Sequence, residues 1–498
     1  MKKTKIAVGV VVALGVIWIG GAWLTGKKLE DNRDQALQNV NSWLQQQLPQ
    51  SHLTVSYQDY QRGLFSSHVK LVIQSTSQTT DDALLKPGQS VVFQETIDHG
   101  PFPLAQLKKF NLIPSMASVH SDLQNTDPVR KLFELTKDKP FITADTRIGY
   151  SGDTSSDIHL LPIDYQDANS GDRLAFNGGD LTISADKQGN QVDYSGNIDS
   201  LAVTSKNAMD MPVLLTFNGM TFDGKTHLGA GNLRVGDQTL ALKKFNASIQ
   251  GKEVFTAEGL KLLSDFKSDD KNINGQFDYS MDALKMQGQD FGSAKLTLKL
   301  SQLDADALKT FSDNYRNEMQ PVIDQPNIDP LVLQQKSREV FAKNLPLLLK
   351  GNPVISIAPL SWKNAKGEST FNLTASLRDP STGKPADGGD INQAADNVVK
   401  SLDAKLVIPM AMATETMTHV GMAEGNSEEQ AAKLADQQVK GFAAMGQMFK
   451  LTTQQDNDIV ASLHFADGQV EMNGEKMPLD QFINRYLPGG VTPDGMPQ

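Results

Sequence analysis

The chain of 498 residues contains no cysteine. Disulfides, thiolate metal ligands and cysteine nucleophiles are therefore excluded together, and so is the acylated cysteine of a lipoprotein. Positive charge is also short: 47 Lys and Arg stand against 58 Asp and Glu, a formal net charge of −11. Nucleic acid as a partner is excluded on that balance, because phosphate backbones are held by clustered basic residues. The pair Lys108-Lys109 reads as a solvated turn. No H-E-x-x-H and no G-x-S-x-G occurs. Gly229-Ala-Gly231 opens like a dinucleotide fingerprint, but the next glycine stands at Gly236, which reads as a strand turn. The eight histidines never recur at three- or four-residue spacing, so no metal site and no cofactor is expected. Asp456, Asp458 and Asp467 lack the spacing of a calcium loop and read as turn residues.

Long apolar runs are absent too, with one exception. Residues 6–26 carry no charged side chain, and Lys2, Lys3 and Lys5 precede them. About 20 apolar residues in a helix cross a bilayer core. The run is too long for a signal-peptide core, and its only small-residue exit, Gly20-Gly21-Ala22, leads straight into Trp23-Leu24, so the reading is a retained single-pass anchor. The lysine bias places residues 1–5 in the cytoplasm and, in a bacterium, the main body in the periplasm at the inner membrane. Gly9, Ala13 and Gly20 share a helix face that would let two such helices pack closely into a homodimer, but Gly and Ala are common in membrane helices and that plain reading is preferred.

Residues 27–49 continue as a helical stalk with Leu29, Ala36, Val40, Trp43, Leu44 and Leu48 in a stripe, stopped by Pro49. The stripe is expected to pack on the chain's own body. From 50 to 300 the period falls to two, the pattern of antiparallel strands with one face buried. Asn177-Gly178, Asn218-Gly219, Asp223-Gly224 and Asn274-Gly275 read as two-residue hairpin turns. Residues 301–350 read as helical, 351–487 as a mixed C-terminal region and 488–498 as a flexible tail. The expected fold class is α+β and β-rich: an extended strand meander behind an N-terminal transmembrane helix, with helices concentrated in the C-terminal half. The methionines at 410, 412, 417, 422, 445 and 448 read as helix core. At Ile97–Leu104 two prolines and a glycine impose a rigid corner, with Phe102 turned inward and His99 at its entrance.

Tyr60-Gln-Arg-Gly-Leu-Phe-Ser-Ser, His99-Gly-Pro-Phe-Pro-Leu-Ala-Gln-Leu, Ile148-Gly-Tyr-Ser-Gly-Asp, Ile357-Ala-Pro-Leu-Ser-Trp and Met472-Asn-Gly-Glu-Lys-Met carry a resemblance along the chain. It resembles the YdgA/YihF family of enterobacterial inner-membrane proteins, whose function is undetermined. The resemblance implies an inner-membrane protein with a periplasmic domain and supplies no catalytic residue. It singles out His99, Gly100, Pro101 and Phe102 as a family-motif corner of unassigned role. The leading functional expectation is a non-enzymatic binding or envelope-assembly factor whose sheet offers an apolar groove to a lipid or an envelope protein. The alternatives are a periplasmic hydrolase using His99 and scattered carboxylates, and a homo-oligomeric structural protein.

Overall fold

The structure is a computed structural model. It describes residues 22–31, 33–35, 37–38, 40–42, 44–45, 52–76, 85–323, 325, 328–382 and 391–486. Gly9, Ala13, Gly20, the anchor residues before Ala22 and the 488–498 tail lie outside the described residues. Among the described residues no helix is long and apolar enough to cross a membrane.

Two compact units are present: residues 1–204, 221–225 and 324–328 form the first, and 205–220, 226–323 and 329–498 the second.

In the first unit, residues 22–45 are helical wherever described and form α1. β1 (Leu53–Arg62), β2 (Ser66–Ser75), β3 (Ser90–His99), β4 (Ala117–Leu123), β5 (Ile142–Ile148) and β6 (Thr154–Leu160) pair antiparallel in chain order. α2 (Leu104–Lys108) and α3 (Arg130–Leu135) lie in the connections on either side of β4. β7 (Ile163–Gln166) and β8 (Arg173–Phe176) form a hairpin, while β9 (Gly179–Ala185) pairs with β6 and with β10 (Gln191–Lys206, of which 205–206 belongs to the second unit). The stalk packs on its own unit. Asn41 accepts from Val55 N at 2.7 Å and donates to Val55 O at 2.9 Å, standing in for a neighbouring strand along the outer side of β1. Glu30 pairs with Arg62 at 3.0 Å, and Arg33 lies over the ring of Tyr60. Val40, expected in the buried stripe, is exposed.

The second unit is built from longer strands: β11 (Pro212–Leu228, of which 221–225 belongs to the first unit), β12 (Arg234–Ile249), β13 (Lys252–Ser268), β14 (Asn272–Met286) and β15 (Gln289–Asp304). A helical hairpin follows, α4 (Ala305–Ile323) and α5 (Pro330–Leu349). The meander resumes with β16 (Val354–Asn364) and β17 (Gly367–Leu377). After α6 (Ile391–Val398) comes β18 (Val399–Pro409). α7 (Met410–Ala423) and α8 (Glu428–Met448) pack together before β19 (Thr453–Gln455), β20 (Asp458–Ala466), β21 (Gln469–Met472), β22 (Glu475–Pro478) and α9 (Leu479–Tyr486). β12 to β18 pair antiparallel in order, and β20 closes on β18. One core gathers Val235, Ile273 and Ala305 at the root of the helical hairpin; another gathers Phe465, Val470 and Met477 under α6 and α9.

Asp467-Gly468 and Asn473-Gly474 near the end of the chain are two-residue hairpin turns with every residue at positive φ, joining β20 to β21 and β21 to β22, but the four earlier Asn-Gly and Asp-Gly pairs are not. Asn218-Gly219 and Asp223-Gly224 lie inside β11, Asn274-Gly275 inside β14, and Asn177-Gly178 joins two strands that both pair with β10. These glycines make room for neighbouring side chains instead. Gly275 stands opposite Phe266, and a Cβ on it would meet that ring at 2.1 Å; one on Gly224 would meet the Tyr194 ring at 2.7 Å. Turns are also made by Gln250-Gly251 and Gln287-Gly288, with every residue at positive φ.

The methionine reading divides. Met412 is buried, but Met445 and Met448 on α8 are exposed beside Phe442 and Phe449, while the inward face of that helix is Ala431, Ala435, Val439 and Ala443.

Candidate functional site

Two places draw functional side chains together, one in each unit.

The first is the corner after β3. His99 is not at an entrance: it is fully buried, with its ring against the backbone of Gly26 in α1. Its Nδ1 faces the Leu64 carbonyl at 3.4 Å, and a carbonyl can only accept, so Nδ1 carries the proton. Nε2 is then the acceptor, and the Ser67 hydroxyl donates to it at 2.8 Å. Tyr60 donates in turn to Ser67 Oγ at 3.2 Å. Burial lowers the His99 pKa; the Leu64 bond and Asp98 oppose this, and the Arg62 charge adds to it. The ring is therefore neutral. One residue on, Gly100 O accepts from Thr25 Oγ1 at 3.1 Å, and Gly100 N donates to Met116 O at 2.8 Å. A Cβ at Gly100 would stand 2.0 Å from Ser115 O, so only glycine fits. Phe102 is half-buried and Pro103 fully buried. The corner is thus a socket for the start of α1, where the expected membrane run ends.

Ser67 and His99 have the separation of a nucleophile and its base. Yet Ser67 has no accessible surface, and Gly26 closes the ring side, so a substrate has no path to the hydroxyl. Beneath the same strands Glu95 is buried, which pushes its carboxyl up to about 7 against the opposing Ser121 hydrogen bond. Burial, and then the charge of Glu95, raises Tyr57 to about 12.

The second place is a trough of about 500 Å³ on one face of the second unit's sheet. Its floor is a straight row across the strands. Leu240 stands opposite Leu262, Leu262 opposite Tyr279, Tyr279 opposite Leu296, and Leu296 opposite Leu360. The row beside it runs Phe277, Leu298, Ile357 and Leu373. Leu296 and Leu298 are two residues apart, whereas Leu360 and Ile357 are three apart. A bulge at Ala358-Pro359 absorbs the extra residue and keeps both on the apolar face. The other face carries the matching row Lys261, Ser280, Lys295 and Ser361. The trough walls present almost no polar atoms, and Leu240, Tyr279 and Leu360 are exposed. The sequence showed the alternation in each strand; which leucines share a row depends on register, which it did not show.

Three histidines stand directly opposite an aspartate on the next strand: His120 and Asp145 at 2.7 Å, His159 and Asp180 at 2.8 Å, His464 and Asp403 at 2.7 Å. All are exposed cross-strand pairs. Lys109 donates to Asp145 at 2.8 Å. Among the described residues no group of three His, Asp or Glu side chains is placed to hold a metal ion.

Residues 1–480 match a family described as "Bacterial protein of unknown function (DUF945)". The chain belongs to this family. Within reach of DUF945 by similarity stands Protein YdgA of Escherichia coli (strain K12), 47% identical over 501 residues, covering 100% of this chain and 99% of that protein. The uncharacterized protein YihF of the same organism is 30% identical over 487 residues, covering 97% of this DUF945 chain and 98% of its own length. An uncharacterized protein of Haemophilus influenzae is 23% identical over 325 residues, 62% of this chain and 84% of that one. No solved structure matches.

Proposed function

We propose that this chain is an envelope protein, tethered by residues 6–26 to the inner membrane with its body in the periplasm, that shelters a lipid acyl chain in the trough of its second unit. The observation that carries the reading is the row Leu240–Leu262–Tyr279–Leu296–Leu360, an apolar floor left open to solvent on a folded sheet. A concave apolar trough of about 500 Å³ has the size and lining of a small-molecule site. The site lies on a sheet face, away from strand edges, and its walls lack polar atoms. A peptide would bring amide groups that find no partner there, at a cost in free energy. An acyl chain brings none, and each covered methylene contributes about 0.8 kcal/mol before the cost of association. A non-enzymatic role fits the closed Ser67–His99 pair, which offers a substrate no access.

The test is native mass spectrometry of the full chain released into mild detergent, with lipid extraction of the purified protein. The wild type should retain a phospholipid or fatty acid. Leu262→Glu with Leu296→Glu, which places carboxylates on the floor, should lose it severalfold while circular dichroism stays unchanged. Wild-type protein free of lipid would count decisively against the proposal.

A further inference from the structure

The connection from β3 to β4 is a closed excursion with an unusual tip. Its base is tied twice, Ser115 N donating to Pro101 O at 3.0 Å and Gly100 N to Met116 O at 2.8 Å. Inside, a polar frame holds it. Gln106 is buried and donates to Ser118 Oγ at 3.0 Å. Asn111 donates to Gln106 Oε1 at 2.9 Å and accepts from Ile113 N at 3.1 Å. Asp98 accepts from Ala105 N at 2.8 Å. This frame presents Phe110, Leu112 and Ile113 outward, 92%, 69% and 61% exposed. Phe110 sits at φ 56°, a left-handed conformation that a bulky residue adopts only when its surroundings impose it. Three large apolar side chains held out by a rigid polar frame have no folding role.

The same base receives α1. Thr25 Oγ1 donates to Gly100 O, and Gly26 abuts His99. The uncharged run 6–26 ends at that point. Trp23 and Leu24, its last large residues, are exposed, and Trp23 lies under Lys27 and Arg62. An apolar tip anchored where a membrane run ends is placed at the headgroup and acyl boundary, where aromatic and aliphatic side chains insert.

We infer that Phe110, Leu112 and Ile113 form a second membrane contact, entering the surface of the bilayer that holds residues 6–26. The inference rests on the proposed tether and extends it: the body is docked against the lipid as well as hung from it.

The absence of cysteine makes the test direct. Full-length Leu112→Cys and, as a reference, Ser170→Cys in the exposed β7–β8 loop are labelled with an environment-sensitive fluorophore. Each is reconstituted in nanodiscs of phosphatidylethanolamine and phosphatidylglycerol, and quenching by doxyl-labelled lipid and by iodide is compared. The label at 112 should emit further to the blue. It should be quenched severalfold more by doxyl lipid than the label at 170, and adding Phe110→Ser and Ile113→Ser should abolish the difference. Equal quenching at both sites in loaded nanodiscs would overturn the inference and leave the tether standing. Protection from iodide without doxyl quenching would mean a protein partner and would overturn it as well. A chain that does not enter nanodiscs at all would remove the tether and this contact together.

Discussion

The imidazole of His99 occupies the space in front of the Gly26 α-carbon, so closely that a Cβ there would lie 2.5 Å from both Cε1 and Nδ1. Gly26→Ala should therefore destabilise the first unit by about 1–3 kcal/mol, the range for overpacking a filled interior. His99→Ala alone should also destabilise, by removing the ring and leaving the Ser67 hydroxyl proton without its acceptor. In the double variant the clash vanishes, so the two losses should sum to more than the combined loss. Denaturation midpoints of the four proteins in the same detergent measure the coupling; strict additivity would show that the two residues do not meet.

Asn41→Ala should cost about 2–4 kcal/mol, because Val55 N and O are buried there and both lose their partner. Hydrogen exchange at the Val55 amide should accelerate, while amides of the second unit keep their rates. Unchanged protection at Val55 would contradict the pairing.

Glu95 and His99 give opposite pH slopes. The Glu95 carboxyl is raised to about 7 in the fold. Its contribution is thus fully present below the unfolded value near 4.5 and is lost as pH rises through about 7. His99 is lowered, so its contribution is present above about 6.5 and is lost as pH falls below that value. Glu95→Gln should accordingly gain on the wild type between pH 5 and pH 8, by on the order of 2–3 kcal/mol. Thermal midpoints at the two pH values decide; a gap that does not widen toward pH 8 refutes the assignment.

On α8, a Cβ added at Gly441 would meet nothing within 4 Å. Gly441→Ala should stabilise the helix by about 0.5–1 kcal/mol, as expected when glycine is replaced inside a helix without obstruction. A lowered melting midpoint would show that this helix face is covered.

Strand identity was legible wherever one face is apolar, as in Ala294-Lys-Leu-Thr-Leu-Lys-Leu, because the period of two survives in the chain itself. What was not legible depended on residues far apart in sequence. Asn274-Gly275 carries the composition of a turn, yet its glycine exists because Phe266 crosses from the next strand. The turns at Gln250-Gly251 and Gln287-Gly288 place glutamine at positive φ, against its ordinary preference. The corner at His99 was readable as rigid from Pro101 and Pro103, but its role as a seat for Thr25 and Gly26 was not, since nothing in either segment names the other. Phe110, Leu112 and Ile113 carry no periodic signal in the chain, and only the structure shows them held outward.

The amide of Asn41 acts as a stopper on the free flank of β1. Shortened versions of the protein made for convenience of purification, if cut after residue 45, would bare a ten-residue strand with unclaimed donors and acceptors. Such fragments would zip together through that flank, and their stoichiometry would describe the cut rather than the native molecule.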